Sequence, residues 1–296
     1  MDLLEAILST SVRLMVPLLL AALGELIAER AGVLNIGLEG MITAGAFTAY
    51  AAVMMGWGLP AALLAAILGG AVVAAVMALG AVWMGGNQIL VGFALFILVP
   101  GIANFMYVQI EWGGGSPALD RISIPLLSQI PVLGPALFSQ TIFYYLAVLL
   151  AVATWLLFAR ARAGVTLTAT GHSPISVSNR GTSPRRVRTY ALLVCGALAG
   201  IAGAAMSLGS VGSYVPHIVG GRGLIVIAIV ILGRWTVPGA VAGAFLIAVL
   251  DSLQLNIAEQ SGIPLQLFSM LPWLVVIGML IISYRLRSNV PRTLAQ

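Results

Sequence analysis

Long stretches without charge limit most severely what a chain can fold into, and this sequence is built largely from them. Apolar runs cover residues 12–28, 41–55, 59–84, 89–108, 141–159, 189–208, 224–232, 237–250 and 263–283. A helix needs roughly 20 apolar residues to cross a bilayer, and fewer where it is broken or re-entrant. The pattern predicts an all-α, polytopic transmembrane helical bundle of eight or nine membrane segments, some broken or re-entrant, forming one domain over residues 1–296. Composition agrees: 60% of residues are hydrophobic and 8% charged, where soluble domains carry about 25% charged residues.

The segment 160–188 interrupts this pattern. It holds six of the fourteen basic residues, all arginine, and no acid. Its Gly, Pro and Ser punctuation predicts turns, which hydrocarbon does not tolerate because they leave backbone amides unpaired. Basic loops stay on the cytoplasmic side. With 160–188 placed there, counting spans puts Arg30, the turn 85–88, the turn at Arg234 and the C-terminal arginines on the same side. The connection 112–140 and the N-terminus fall on the other. Arg13, Arg121 and Arg222 then need outer or interfacial positions.

Small residues recur at four-residue spacing in several runs, at Gly196/Gly200, Ala199/Gly203 and Gly239/Gly243. That spacing lets membrane helices approach closely. The tetrapeptide Ala-Gly-Ala-Phe occurs at 44–47 and again at 242–245, a hint of two related halves.

Polar side chains inside apolar runs are expensive and often line a path. Asn35 and Glu39 share a face if 31–41 is helical, whereas Gly32, Gly37 and Gly40 favour a broken helix. The pair either lines a cavity or serves structure, with Glu39 capping a helix or bonding backbone. Asn87 and Gln88 open a span, where capping is the expected role. Asn104 lies deeper and is the better path candidate. Asp251 and Gln254 end a span, where interfacial solvation accounts for them. Cys195, the single cysteine, reads as a small packing residue.

His172 and His217 have no metal-ligand companions in sequence, so no metal site is expected. The chain has no Walker A pattern of its own and no nucleophile–base–acid set. Arginines confined to loops between spans follow the positive-inside bias, and nucleic acid is not an expected partner. Arrays of buried carboxylates and cations typical of proton-coupled carriers are also lacking, which favours a motor on a separate subunit.

Several stretches, in order along nearly the whole chain, carry a family resemblance. GELIAERAGVLNIGLEGMITAGAF (24–47) resembles the amino-terminal signature of permease subunits in bacterial ABC importers. The group is the one holding the ribose-type and branched-chain amino-acid permeases, and the match is nearest to nucleoside and simple-sugar permeases. GGNQILVGFAL (85–95), GALAGIAGA (196–204), GRGLIVIAIVILGRW (221–235) and GAVAGAFL (239–246) are similar to later family segments.

The resemblance implies a non-enzymatic subunit of an importer in the bacterial cytoplasmic membrane. Its partners would be an ATP-binding subunit that carries ATP-Mg, a second and longer permease chain, and an external substrate-binding protein or lipoprotein. No cofactor would bind this chain. The resemblance also implies a coupling helix at about 169–181, docking the ATPase through Gly171, His172, Ser173, Pro174, Arg180 and Gly181. Related chains usually read Ala-x-Gly-x-Asn-Pro there, and here Gly171 and Pro174 match while Ser173 departs. The expected solute is a nucleoside or simple sugar, delivered to an outer mouth formed partly by the loops 112–140 and 209–221. It would follow a path including Asn35, Glu39, Asn87 and Asn104. The main alternative is a free-standing carrier or channel, which gives the arginine segment no task.

Overall fold

The computed structural model describes residues 3–110, 119, 122–123, 133–261, 265–283 and 291–294. Most of the 112–140 connection, Arg121, Arg285 and Arg287 lie outside the described residues. Helix α1 (Leu3–Arg30) is followed by α2 (Leu38–Met54) and α3 (Leu59–Met77), which runs on as a π-helix over Ala78–Trp83. Then come α4 (Gln88–Gln109), the short α5 (Leu133–Phe138) and α6 (Ile142–Arg160). Two-residue strands at Ile122–Ser123 and Ser139–Gln140 pair antiparallel beside α5. Helices α7 (Arg162–His172) and α8 (Pro174–Ser178) precede α9 (Pro184–Ala204), which also continues as a π-helix, Ala205–Val211. The chain ends with α10 (Arg222–Leu232), α11 (Val237–Ser261), α12 (Leu265–Ser283) and a 3-10 turn.

Among the described residues, six helices are long and apolar enough to cross a membrane: Glu5–Arg30, Leu59–Trp83, Gln88–Gln109, Ile142–Arg160, Pro184–Val211 and Val237–Asn256. Helices α2 and α10 are apolar but shorter. The central element is the α9 span, 83% buried, whereas those of α4 and α6 are 17% buried and form the periphery. Helix α9 packs along α1, α2 and α3. The small-residue spacing explains how. A side chain on Gly200 would strike the Ala66 carbonyl, one on Gly45 the backbone of Gly200, and one on Gly70 the Gly196 carbonyl. Backbones in direct contact gain dispersion and short polar contacts that lipid, as apolar as leucine, does not replace. Of the other pairs, Gly239 packs on Gly233 and Gly243 on Ile229, closing α11 onto α10.

The segment 160–188 is not a string of turns. It is largely helical, with a turn and irregular chain at 179–183, because α7, α8 and the first turn of α9 satisfy most backbone amides internally. Thr166, Thr168 and Thr170 bond back to carbonyls one turn earlier. The anticipated coupling helix at 169–181 is correspondingly two pieces broken at Ser173. Pro174 opens α8, and the Ser173 hydroxyl accepts from the Ser176 amide.

Five connections gather at one end of the bundle. The Leu34 amide donates to Gln88 Oε1 at 3.0 Å. Arg188 Nε donates to the Ala31 carbonyl, Trp83 Nε1 to Thr189, Arg30 to the Trp235 carbonyl, and Thr293 to the Gly171 carbonyl. These are the turns that span counting assigns to one side; we refer to this as the basic end.

Candidate functional site

The polar centre of the molecule grows out of one stretch, Glu25 to Glu39, where α1 ends and α2 begins. Gly32, at φ 82°, stops α1, and the Gly32 amide caps back to the Glu29 carbonyl. The chain then turns back into the bundle. The Asn35 amide donates to Glu25 Oε1 at 3.1 Å, so Asn35 lies more than a turn inside the end of α1. Helix α2 therefore starts within the protein. Asn35 and Glu39 do not share a helical face, because 31–37 is turn and irregular chain.

Glu25 and Glu29, a turn apart on α1, are both fully buried. Cys195 Sγ donates to Glu25 Oε2 at 3.6 Å, and Asn35 Nδ2 donates to the Met41 and Cys195 sulfurs. The Trp235 indole N–H donates to Glu29 Oε2. Among the described residues, Glu29 Oε1 and Asn35 Oδ1 have no hydrogen-bond partner. Neighbouring Arg30 sends its guanidinium to the Trp235 carbonyl, 2.8 Å from Nε, with its carbon 4.5 Å from the centre of the Phe158 ring. Arg234 and Trp235 both take left-handed backbone at φ 52° and 53°. That conformation costs roughly 1–2 kcal/mol per residue. Bonds from Glu29 to the indole and from Arg30 to the carbonyl of Trp235 hold the turn.

Glu39 reaches a different element. Its Oε1 accepts the Gly221 amide at 2.8 Å and its Oε2 the Gly223 amide at 2.7 Å. It thus caps the N-terminus of α10, where free amides and the helix dipole favour an anion. Of the two sequence readings of Glu39, backbone bonding is the one observed. Arg222, beside these amides, pairs with Asp251 of α11 at 3.3 Å. Asp251 is therefore an ion-pair partner, not a residue solvated at an interface.

Asn104 lies toward the other end of the bundle. Its Oδ1 accepts the Tyr214 hydroxyl at 2.8 Å. The Tyr214 ring, fully buried, lies 5.1 Å from Tyr107, 5.5 Å from Phe47 and 6.5 Å from Tyr50. The ends of α2 and α4 and the loop after the α9 π-helix bring these rings together, and Asn104 joins their tyrosine hydroxyls as an amide. Asn87 is elsewhere: it is exposed at the basic end, and its Oδ1 accepts the Ile89 and Leu90 amides as the cap of α4. The four path candidates therefore occupy separate positions.

Of the anticipated docking residues, His172, Arg180 and Gly181 are exposed, Ser173 and Pro174 half-buried, and Gly171 buried. Gly171 faces inward. Its backbone lies against the Arg30 carbonyl and the Gly32 amide, where a Cβ has no room. The residue that sequence reasoning missed is Ile175, 74% exposed on α8. An apolar side chain between Pro174 and Ser176, in a stretch whose charges are all basic, was its sequence signal. The aromatic group was missed as well, since Phe47, Tyr50, Tyr107 and Tyr214 are scattered through the chain and each is ordinary alone.

Long apolar helices, two short helices starting inside the bundle and an arginine-bearing helical insert at one end mark a multi-pass helical membrane protein. Sequence comparison makes the class specific. The chain belongs to the family described as "branched-chain amino acid transport system / permease component", whose model matches residues 7–282. It is thus the permease component of an ABC transporter, a transport subunit and not a catalytic one. It is 33% identical over 259 residues (86% of this chain, 79% of the relative) to a Haloferax volcanii protein named "Putative glucose ABC transporter permease protein". It is 29% identical over 274 residues to a nucleoside ABC transporter permease of Lactococcus lactis (88% and 86%). A guanosine ABC transporter permease of Bacillus subtilis is 31% identical over 255 residues (81% and 78%).

Proposed function

We propose that this chain imports a nucleoside, or a related small polar solute such as a simple sugar, as one of two permease subunits in an ATP-driven importer of a bacterial cytoplasmic membrane. The observation that carries this reading is a family match along nearly the whole chain, with nucleoside and glucose permeases among its relatives. The basic end faces the cytoplasm, in keeping with the positive-inside bias. Helices α2, α10 and α12 add broken or complete segments to the six long spans. An external binding protein or lipoprotein delivers the solute to the opposite end, where the half-buried Asn104 and Tyr107 offer an amide, a ring face and a hydroxyl beside the buried Tyr214 group. Such a lining suits a solute with a planar or ring-shaped body and polar edges.

The ATP-binding subunit docks on the basic end through α7 and α8, with Ile175 as the apolar anchor and His172, Ser173, Pro174, Arg180 and Gly181 around it. Gly171 serves the inner face of this lever. Purification of the chain from its native membrane in mild detergent should recover an ATP-binding subunit and a second permease. The same preparation, reconstituted with its binding protein, should take up labelled guanosine or glucose only with ATP. Ile175→Asp should lower ATPase recovery at least ten-fold while the permease still inserts. Gradient-driven uptake by the chain alone would overturn the reading.

A further inference from the structure

Helix α10 has 11 residues, a length of roughly 16 Å and about half the hydrocarbon core of a bilayer. Both of its ends are held by side chains from one stretch of the chain, Glu29 to Glu39. At its start, the Gly221 and Gly223 amides are bound by the Glu39 carboxylate at 2.8 and 2.7 Å. At its finish, the Trp235 turn is bound by Glu29 through the indole and by Arg30 through the carbonyl. The turn that carries Arg30 is the surface on which Gly171 of α7 rests without room for a side chain. The loop entering α10 carries Tyr214, the centre of the aromatic group.

These contacts form an unbroken series: α7 against the Arg30 turn, Arg30 to Trp235, the rigid α10, and the loop to Tyr214. A close backbone contact transmits compression without slack, and a short helix with satisfied ends moves as a body. We infer that α10 is a strut carrying displacement of α7 and α8 at the basic end to the Tyr214 group, with Glu39 and Trp235 as its two hitches. Glu39 is then a positioning residue that holds the strut and does not touch solute. This rests on the importer reading, which supplies the force on α7 and α8.

The test uses the assembled transporter with its binding protein, reconstituted in proteoliposomes. Glu39→Gln loses one of two accepting oxygens, and Trp235→Phe loses the indole N–H while keeping an aromatic ring. Each is expected to lower solute uptake per ATP hydrolysed about ten-fold, with ATP turnover and the KM for solute within two-fold of wild type. Because both act through one body, the double variant is expected to match the worse single variant. Glu39→Asp, which keeps the charge but has a shorter reach, replaces Glu39→Gln if that variant does not assemble. Defects that multiply in the double variant overturn the strut, as does a raised KM with unchanged coupling, which would mark Glu39 as a solute contact. A wild-type complex without ATP-driven uptake overturns the importer reading, and the strut with it.

Discussion

The contacts around α9 and those around α10 represent two ways of holding a helix inside a membrane protein. Helix α9 is held along its length. Gly196 and Gly200 bring its backbone against α3, and Gly45 brings α2 against α9, leaving no gap into which anything can shift. Helix α10 is packed from the side as well, by Gly243 at Ile229, but its ends carry polar ties, Glu39 at the start and Glu29 and Arg30 at the turn beyond its finish. The first arrangement uses many weak contacts that depend on shape, and losing alignment by an ångström forfeits most of them. The second uses a few polar bonds that are strong in a dry interior and can be broken singly. A protein that needs a fixed frame and a movable part is well served by the contrast.

That contrast should be visible in mutation. The largest effect is expected from Gly200→Val, whose side chain would run into the Ala66 carbonyl. Overpacking here should cost about 3 kcal/mol. The fraction of monodisperse protein in size-exclusion chromatography should collapse; retention of wild-type behaviour would break the picture of a rigid frame. A smaller effect is expected from Arg30→Gln, which removes the charged hold on the Trp235 carbonyl and the contact with Phe158. The cost should be about 2 kcal/mol, consistent with loss of a charged hydrogen bond. It should be local, so hydrogen exchange should rise at 232–237 while α9 stays protected. Uniformly faster exchange would show that the two regions are not distinct. The smallest effect is expected from Cys195→Ala, under about 1 kcal/mol, because a thiol is a weak donor to Glu25. A larger loss of thermal stability in detergent would mean that the sulfur organises the buried carboxylates.

Much of the architecture was legible beforehand, for reasons that differ by element. The spans were readable because membrane crossing is a matter of apolar length, and the break between α1 and α2 because Gly32 and Gly37 weaken a helix locally. The close packing of Gly196 and Gly200 follows from spacing on one helix. Asn87 as a cap needed only its position before an apolar run. Glu39 was different. Its role depends on the Gly221 and Gly223 amides, more than 180 residues away, so one chain segment considered alone could not choose between lining a cavity and bonding backbone. Arg222 and Asp251 looked like separate interfacial charges for the same reason. Gly171 matched a familiar pattern, but only the fold turns it inward and leaves Ile175 outside.

By itself the sequence determined that this is a multi-pass helical membrane protein, where its long apolar helices run and which connections share an end. Those properties depend on hydrophobic length and on loop charge, which are local. Tertiary structure alone decided which carboxylate caps α10, which rings surround Asn104 and what lies beneath the basic helices. Such pairings depend on where distant backbones come to rest, and a buried polar group is satisfied by whichever donor the fold brings within hydrogen-bonding distance.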